Sequence, residues 1–94
     1  MIICAAIKIQ MKNLSEPTIV ACRRHGDGFK IIKDLVQDRE AYKEIAQGFI
    51  TDEGEFIDRR QAFIYACQCG QLSQTTKWYK QDHNQDELYS EDLY

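Results

Sequence analysis

The residues best suited to chemistry are two short basic clusters. Arg23 and Arg24 run directly into His25, and Arg59 and Arg60 directly follow Asp58. A guanidinium is planar, permanently charged and able to donate two parallel hydrogen bonds, so such clusters suit phosphate or carboxylate oxygens, and a histidine beside them adds a donor that strengthens as it protonates. The plainer reading of Arg23, Arg24 and His25 is a solvated basic turn paired with Asp27 or an acidic C-terminus. That of Arg59 and Arg60 is an ion pair to Glu53 or Glu55. The second cluster carries one further argument. At a helix N-terminus the macrodipole disfavours a cation unless an anion shares the site.

Other chemistries find less support. Cys22-x-x-His25 with Cys67-x-Cys69 has the look of a zinc set, but residues two apart on a helix point roughly 200° apart, so Cys67 and Cys69 cannot both face one ion there. Buried, small apolar cysteines are the better reading, and a reducing compartment argues against disulfides. A cysteine nucleophile with His25 lacks a third, orienting residue. Glycine-rich phosphate loops, paired carboxylates and HExxH are all missing from the sequence. The expectation is a protein that is not an enzyme and uses neither cofactor nor metal.

The elements that must position the basic clusters can be read in turn. Ile2 to Ile9 and Thr18 to Cys22 are expected to pair as antiparallel strands, joined by a polar connector. Phe29, Ile32, Leu35 and Val36 then recur at helical spacing, with Asp27 as candidate cap. Tyr42, Ile45 and Ala46 suggest a second amphipathic piece leading to a hairpin. There Phe49, Ile50 and Thr51 face Phe56 and Ile57 across the three-residue loop Asp52-Glu53-Gly54, with glycine at the left-handed position. Asp58 and Gln61 have the spacing of a capping box for a helix from Arg59 to Cys69, and Gly70 is placed to end it. Phe63, Ile64 and Tyr65 give that helix an apolar girdle, which points to a second subunit. Gln71 to Glu87 reads as a loop, and Leu88, Tyr89, Leu93 and Tyr94 are apolar enough to dock the tail. The fold class expected is α+β: a small antiparallel sheet, two main helices and a docked tail, forming one domain over residues 1–94, with loop and acidic tail from about residue 71.

Charge and size limit the partners. Residues 1–70 carry ten basic and ten acidic side chains, while residues 71–94 carry two and five, which together give the net −3. A neutral body with an acidic tail argues against DNA or RNA polymers, whose recognition rests on dense positive charge. The apolar start is too short for a signal peptide or a membrane span, so a cytoplasmic protein without membrane contact is expected. Ninety-four residues are too few to enclose a large cleft alone, so a homo-oligomer, dimer or higher, is expected to build the site between subunits.

The joint order of Ile2 to Ile9, Arg23-Arg24-His25, Gln47-Gly48-Phe49-Ile50-Thr51, Gly54-x-Phe56-Ile57-Asp58-Arg59, the helix ending Gly70-Gln71, and Leu88-Tyr89-Ser90-Glu91-Asp92-Leu93 resembles small phage proteins related to the first described Thoeris anti-defence sponge. About half the chain carries the likeness. It departs from the family pattern at Cys22, where glycine is common, and at Asp58, where asparagine can stand. The resemblance implies a non-enzymatic oligomer in the host cytoplasm that sequesters cyclic nucleotide-type immune signals between subunits: cyclised ADP-ribose variants and, in some relatives, cyclic oligonucleotides. Position by position it implies Arg24 and His25 of the basic motif and Phe49, Thr51, Asp58 and Arg59 of the hairpin and helix start as ligand contacts, with Arg23 alongside. Arginines would take the phosphates, and Phe49 a stacked base if its ring is exposed, against the plainer reading of Phe49 as core packing. The alternative is a small phage inhibitor that binds a host defence protein directly through its acidic, tyrosine-rich end.

Overall fold

The computed structural model describes residues 1–93, the side chain of Arg39 excepted. In chain order they form β1 (Ile2–Met11), β2 (Thr18–Cys22), α1 (His25–Leu35), a 3-10 turn at Arg39–Ala41, β3 (Tyr42–Thr51), β4 (Phe56–Asp58), α2 (Arg59–Gln68), α3 (Gln74–Asp82) and a 3-10 turn at Ser90–Asp92. The four strands make one antiparallel sheet in the order β2-β1-β3-β4. This is the expected α+β architecture with one helix more than expected.

Strand alternation decides which residues reach the core. Ile2, Ala5, Ile7 and Ile9 of central β1 and Phe49 of β3 are all buried on the face that receives the helices. Ala62 and Ala66 of α2, Cys22, Leu72 and Leu88 close one end of that face, and Ile32 with Phe29 of α1 closes the other. Small residues let the layers approach. A Cβ on Gly28 would stand 2.7 Å from the Cys22 sulfur and 2.8 Å from Ile7 Cδ1, so with any larger residue those side chains would have to shift for α1 to lie this close to the sheet.

The hairpin and both helix boundaries around α2 follow the sequence reading. Phe49 pairs Ile57 and Ile50 pairs Phe56 across the turn, and Gly54 takes φ +83°. Asp58 accepts from the Gln61 N–H at 2.8 Å while Gln61 Oε1 accepts from the Asp58 N–H at 3.0 Å, completing the box. Gly70 takes φ +72° just past α2.

Three expectations are corrected. Tyr42, Ile45 and Ala46 belong to a strand, because β1 supplies backbone partners from Met11 inward and Ile45 is the extra residue of a bulge between Lys8 and Ile9. Three apolar residues in so short a window do not separate the two periods. α1 starts at His25, with Arg24 at the N-cap and Asp27 in the first turn, since His25 and Gly28 are buried and dock the helix from its beginning. Finally, Gln74–Asp82 is a helix capped by Ser73, whose Oγ accepts from the Thr76 N–H at 3.2 Å.

The tail docks as expected for residues 88–93, Tyr94 lying outside the described residues. Leu88 is fully buried, and its N–H donates to the Arg59 carbonyl at 2.9 Å. The α2 girdle is only partly free: Phe63 and Tyr65 pack against the chain's own core, leaving Ile64 exposed. β4 pairs only Gly48, Phe49 and Ile50 of ten-residue β3, so Tyr42 to Gln47 have a strand on one side alone among the described residues. No helix among those residues is long and apolar enough to cross a membrane.

Candidate anion-binding cleft

The half-strand left open by β4 forms one wall of a cleft of about 550 Å³, lined by Glu44 to Gln47, by Asp58, Arg59 and Arg60 at the start of α2, and by Glu87 of the tail. Arg59 is its central cation. Arg59 Nη2 donates to Gln47 Oε1 at 2.5 Å, and the Gln47 amide nitrogen donates to Glu44 Oε1 at 2.8 Å, which fixes the orientation of the amide. Tyr89 lies over the guanidinium with its ring centre 4.7 Å away.

Behind Arg59 sits His25, 5% exposed. Its Nε2 lies 2.8 Å from the Gly48 carbonyl, which can only accept, so Nε2 carries the proton. Nδ1 is left as the acceptor for a long 3.5 Å contact from Arg59 Nη2. Burial, chiefly, holds the imidazole below its ordinary pKa; Arg59 adds to that lowering, while the Gly48 carbonyl, Glu91 and Glu44 oppose it. A neutral ring that accepts from Arg59 results. Glu44, Gln47, Arg59, His25 and Gly48 thus form one hydrogen-bonded chain in which each donor meets an acceptor. One donor stands outside it. Arg59 Nε is buried and, among the described residues, has no hydrogen-bond partner.

The structure distributes the expected site residues unevenly. His25 and Arg59 are brought together. Asp58 is exposed, with its carboxylate committed to capping α2. Arg23 and Arg24 are exposed at the end of β2 and the start of α1, outside the residues that line the cleft. Phe49 is corrected from stacking platform to core: its ring is fully buried and meets the edge of His25 at 5.1 Å and 83°. Thr51 is likewise 3% exposed, its Oγ1 accepting from the Glu55 N–H at 3.3 Å, so no ligand reaches it directly. Gln47, Glu44, Glu87 and Tyr89 were not foreseen. Gln47 opens one of the stretches that carried the resemblance, but nothing in its position announced that it would reach Arg59.

A family profile described as "Phage T4 y16D protein" matches residues 1–94. The chain belongs to the phage T4 y16D protein family. No curated protein and no solved structure matches it. In this y16D family member all four cysteines are free thiols, and burial pushes the Cys22 and Cys4 thiols above their ordinary pKa. Among the described residues of the y16D chain, no three His, Cys, Asp or Glu side chains are grouped to hold a metal ion. Its cleft therefore offers charge and hydrogen bonding: arginine donors at the helix start, carboxylates of Glu44 and Glu87 as acceptors, and a tyrosine ring alongside.

Proposed function

We propose that this phage protein binds a cyclic nucleotide-type signal at the Arg59 cleft and sequesters it without cleavage, acting in the host cytoplasm. The observation that carries the reading is the buried Nε of Arg59, which has no partner among the described residues and belongs to a side chain lining the cleft. Leaving such a donor unsatisfied costs about 1–3 kcal/mol, and a phosphate oxygen accepts from a guanidinium more strongly than a neutral group does. The long contact to His25 lets the guanidinium shift toward the cleft when an acceptor arrives. Glu44 and Glu87 suit ribose hydroxyl donors. The resemblance to Thoeris anti-defence sponge relatives supplies the ligand class, cyclised ADP-ribose variants or cyclic oligonucleotides, and a dimer or higher assembly that closes the open side of the cleft.

The test is a thermal-shift screen of the purified protein against cyclic ADP-ribose isomers and cyclic di- and trinucleotides, followed by recovery of the ligand after denaturation. A ligand at 100 times its dissociation constant adds about 2.7 kcal/mol of stability. Intact ligand in the supernatant is expected. Cleaved ligand overturns sequestration, and the absence of any shift overturns binding.

A second reading, direct inhibition of a host defence protein, is favoured by Trp78 and Tyr79 of α3, which are 59% and 56% exposed. Exposed aromatics of this size are common anchors in protein interfaces. Under that reading Trp78→Ala abolishes anti-defence activity while Arg59→Ala leaves it unchanged.

A further inference from the structure

The two adjacent arginines of the cleft are in different states. Arg59 keeps a donor without a partner among the described residues, whereas Arg60 is occupied: its Nε and Nη2 both donate to Asp86 Oδ2, at 2.9 and 2.8 Å. The partner is a carboxylate from the tail, not Glu53 or Glu55 of the neighbouring hairpin. Both side chains of this pair stand in water, 72% and 58% exposed, so the contact is weak and readily exchanged.

The backbone that delivers Asp86 is fixed on either side. Before it, the Gln85 N–H donates to the Lys80 carbonyl at 2.8 Å; after it, the Leu88 N–H donates to the Arg59 carbonyl at 2.9 Å, and Leu88 is fully buried. Lys80 Nζ donates to the Glu87 carbonyl at 2.9 Å and to Asp92 at 2.8 Å, pinning the same segment again. The strap stays while the Asp86 carboxylate can swing away. A tethered carboxylate competes at an effective concentration that a free monoanion must exceed.

We propose that Asp86 is a built-in competitor that sets how much negative charge a ligand must bring, making the cleft selective for a pair of linked phosphates over a single phosphodiester. This rests on the reading of the cleft as an anion site. A lone phosphodiester satisfies Arg59 and gains little by exchanging with Asp86 at Arg60. A pyrophosphate bridge places its second phosphate beside the first and displaces the carboxylate.

The experiment is calorimetric titration of the full chain with 3′,5′-cyclic AMP and with ADP, which share adenosine and differ in phosphate content. Wild type is expected to bind ADP at least tenfold more tightly than cyclic AMP. Asp86→Asn should raise cyclic AMP affinity by about two- to fivefold and ADP affinity less, so that the ratio narrows. In an Arg60→Ala background Asp86→Asn should have no effect. Asp82→Asn, an exposed acid on α3, controls for net charge alone. The competitor is overturned if wild type binds but Asp86→Asn changes neither ligand, or if it and Asp82→Asn strengthen both ligands equally. If neither ligand binds wild type or Asp86→Asn, the anion-site reading falls with it, an outcome distinct from the first two.

Discussion

Lys80 offers the sharpest test of how the tail is held. Its side chain is 2% exposed, and its ammonium donates to Asp92 at 2.8 Å and to the Glu87 carbonyl at 2.9 Å, with the Tyr89 ring centre 4.8 Å away. The two partners of the ion pair are not equally enclosed, since the Asp92 side chain keeps 18% of its surface in water. Removing one member of a buried pair costs about 3–5 kcal/mol because the other charge is stranded. Asp92→Ala strands the ammonium, which retains a carbonyl and a ring face, so a loss of about 2–3 kcal/mol is expected. Lys80→Met strands only a carboxylate that already meets water and keeps the apolar stem packed, so about 1 kcal/mol is expected. For a domain of this size 1 kcal/mol moves Tm by about 4–8 °C, which puts Asp92→Ala roughly 8–24 °C below wild type. Urea denaturation of both variants and of Lys80→Met/Asp92→Leu reads the asymmetry, and the double variant should recover most of the loss. Equal losses for the two single variants, or a larger one for Lys80→Met, would refute the reasoning.

Other perturbations have equally definite outcomes. Arg59→Ala should weaken binding of a phosphate-bearing cyclic nucleotide by about 1.5–3 kcal/mol in a calorimetric titration, the worth of a hydrogen bond to a charged group. Because folding holds the His25 pKa below its ordinary value of 6.5, the unfolded chain takes up protons first. The stability that His25 contributes is therefore complete above about pH 6.5 and is lost as pH falls toward the folded pKa. Urea midpoints at pH 7 and pH 5 should show that loss in wild type and less of it in His25→Gln. Gly48→Ala would set a Cβ 2.1 Å from the Ile57 carbonyl oxygen, so a loss of at least about 3 kcal/mol is expected, visible as a collapsed urea midpoint. Light scattering at micromolar concentration should report at least a dimer, and an 11.0 kDa species would sink the shared-site idea.

What the sequence made legible was local. The Asp58–Gln61 box, the turn at Gly54 and the stop at Gly70 each depend on a few neighbouring residues, and each formed as their chemistry requires. Helix α3 was hidden because the residue it buries is Lys80, so the apolar periodicity that reveals amphipathic helices had nothing to register. The start of β3 was hidden by the bulge at Ile45, which breaks strand alternation where it would have been read. Of the site, Arg59 was visible as a cation at a helix start, but its partners Gln47, His25 and Tyr89 lie 12, 34 and 30 positions away. Phe49 could be read as either core or platform; its pairing opposite Ala5, on the face that receives the helices, settled it as core.

The shortness of β4 has a consequence for the company this sheet keeps. A bare strand edge is a template on which a stray chain can add itself, the first step toward aggregation. Here the uncovered stretch from Tyr42 to Gln47 carries Lys43 and Glu44 exposed and is dislocated at Ile45 by the bulge. Charged side chains and a broken register are two of the devices by which sheets repel such addition. The edge that lines the cleft thus also acts as a gatekeeper, its charges and broken register refusing another strand.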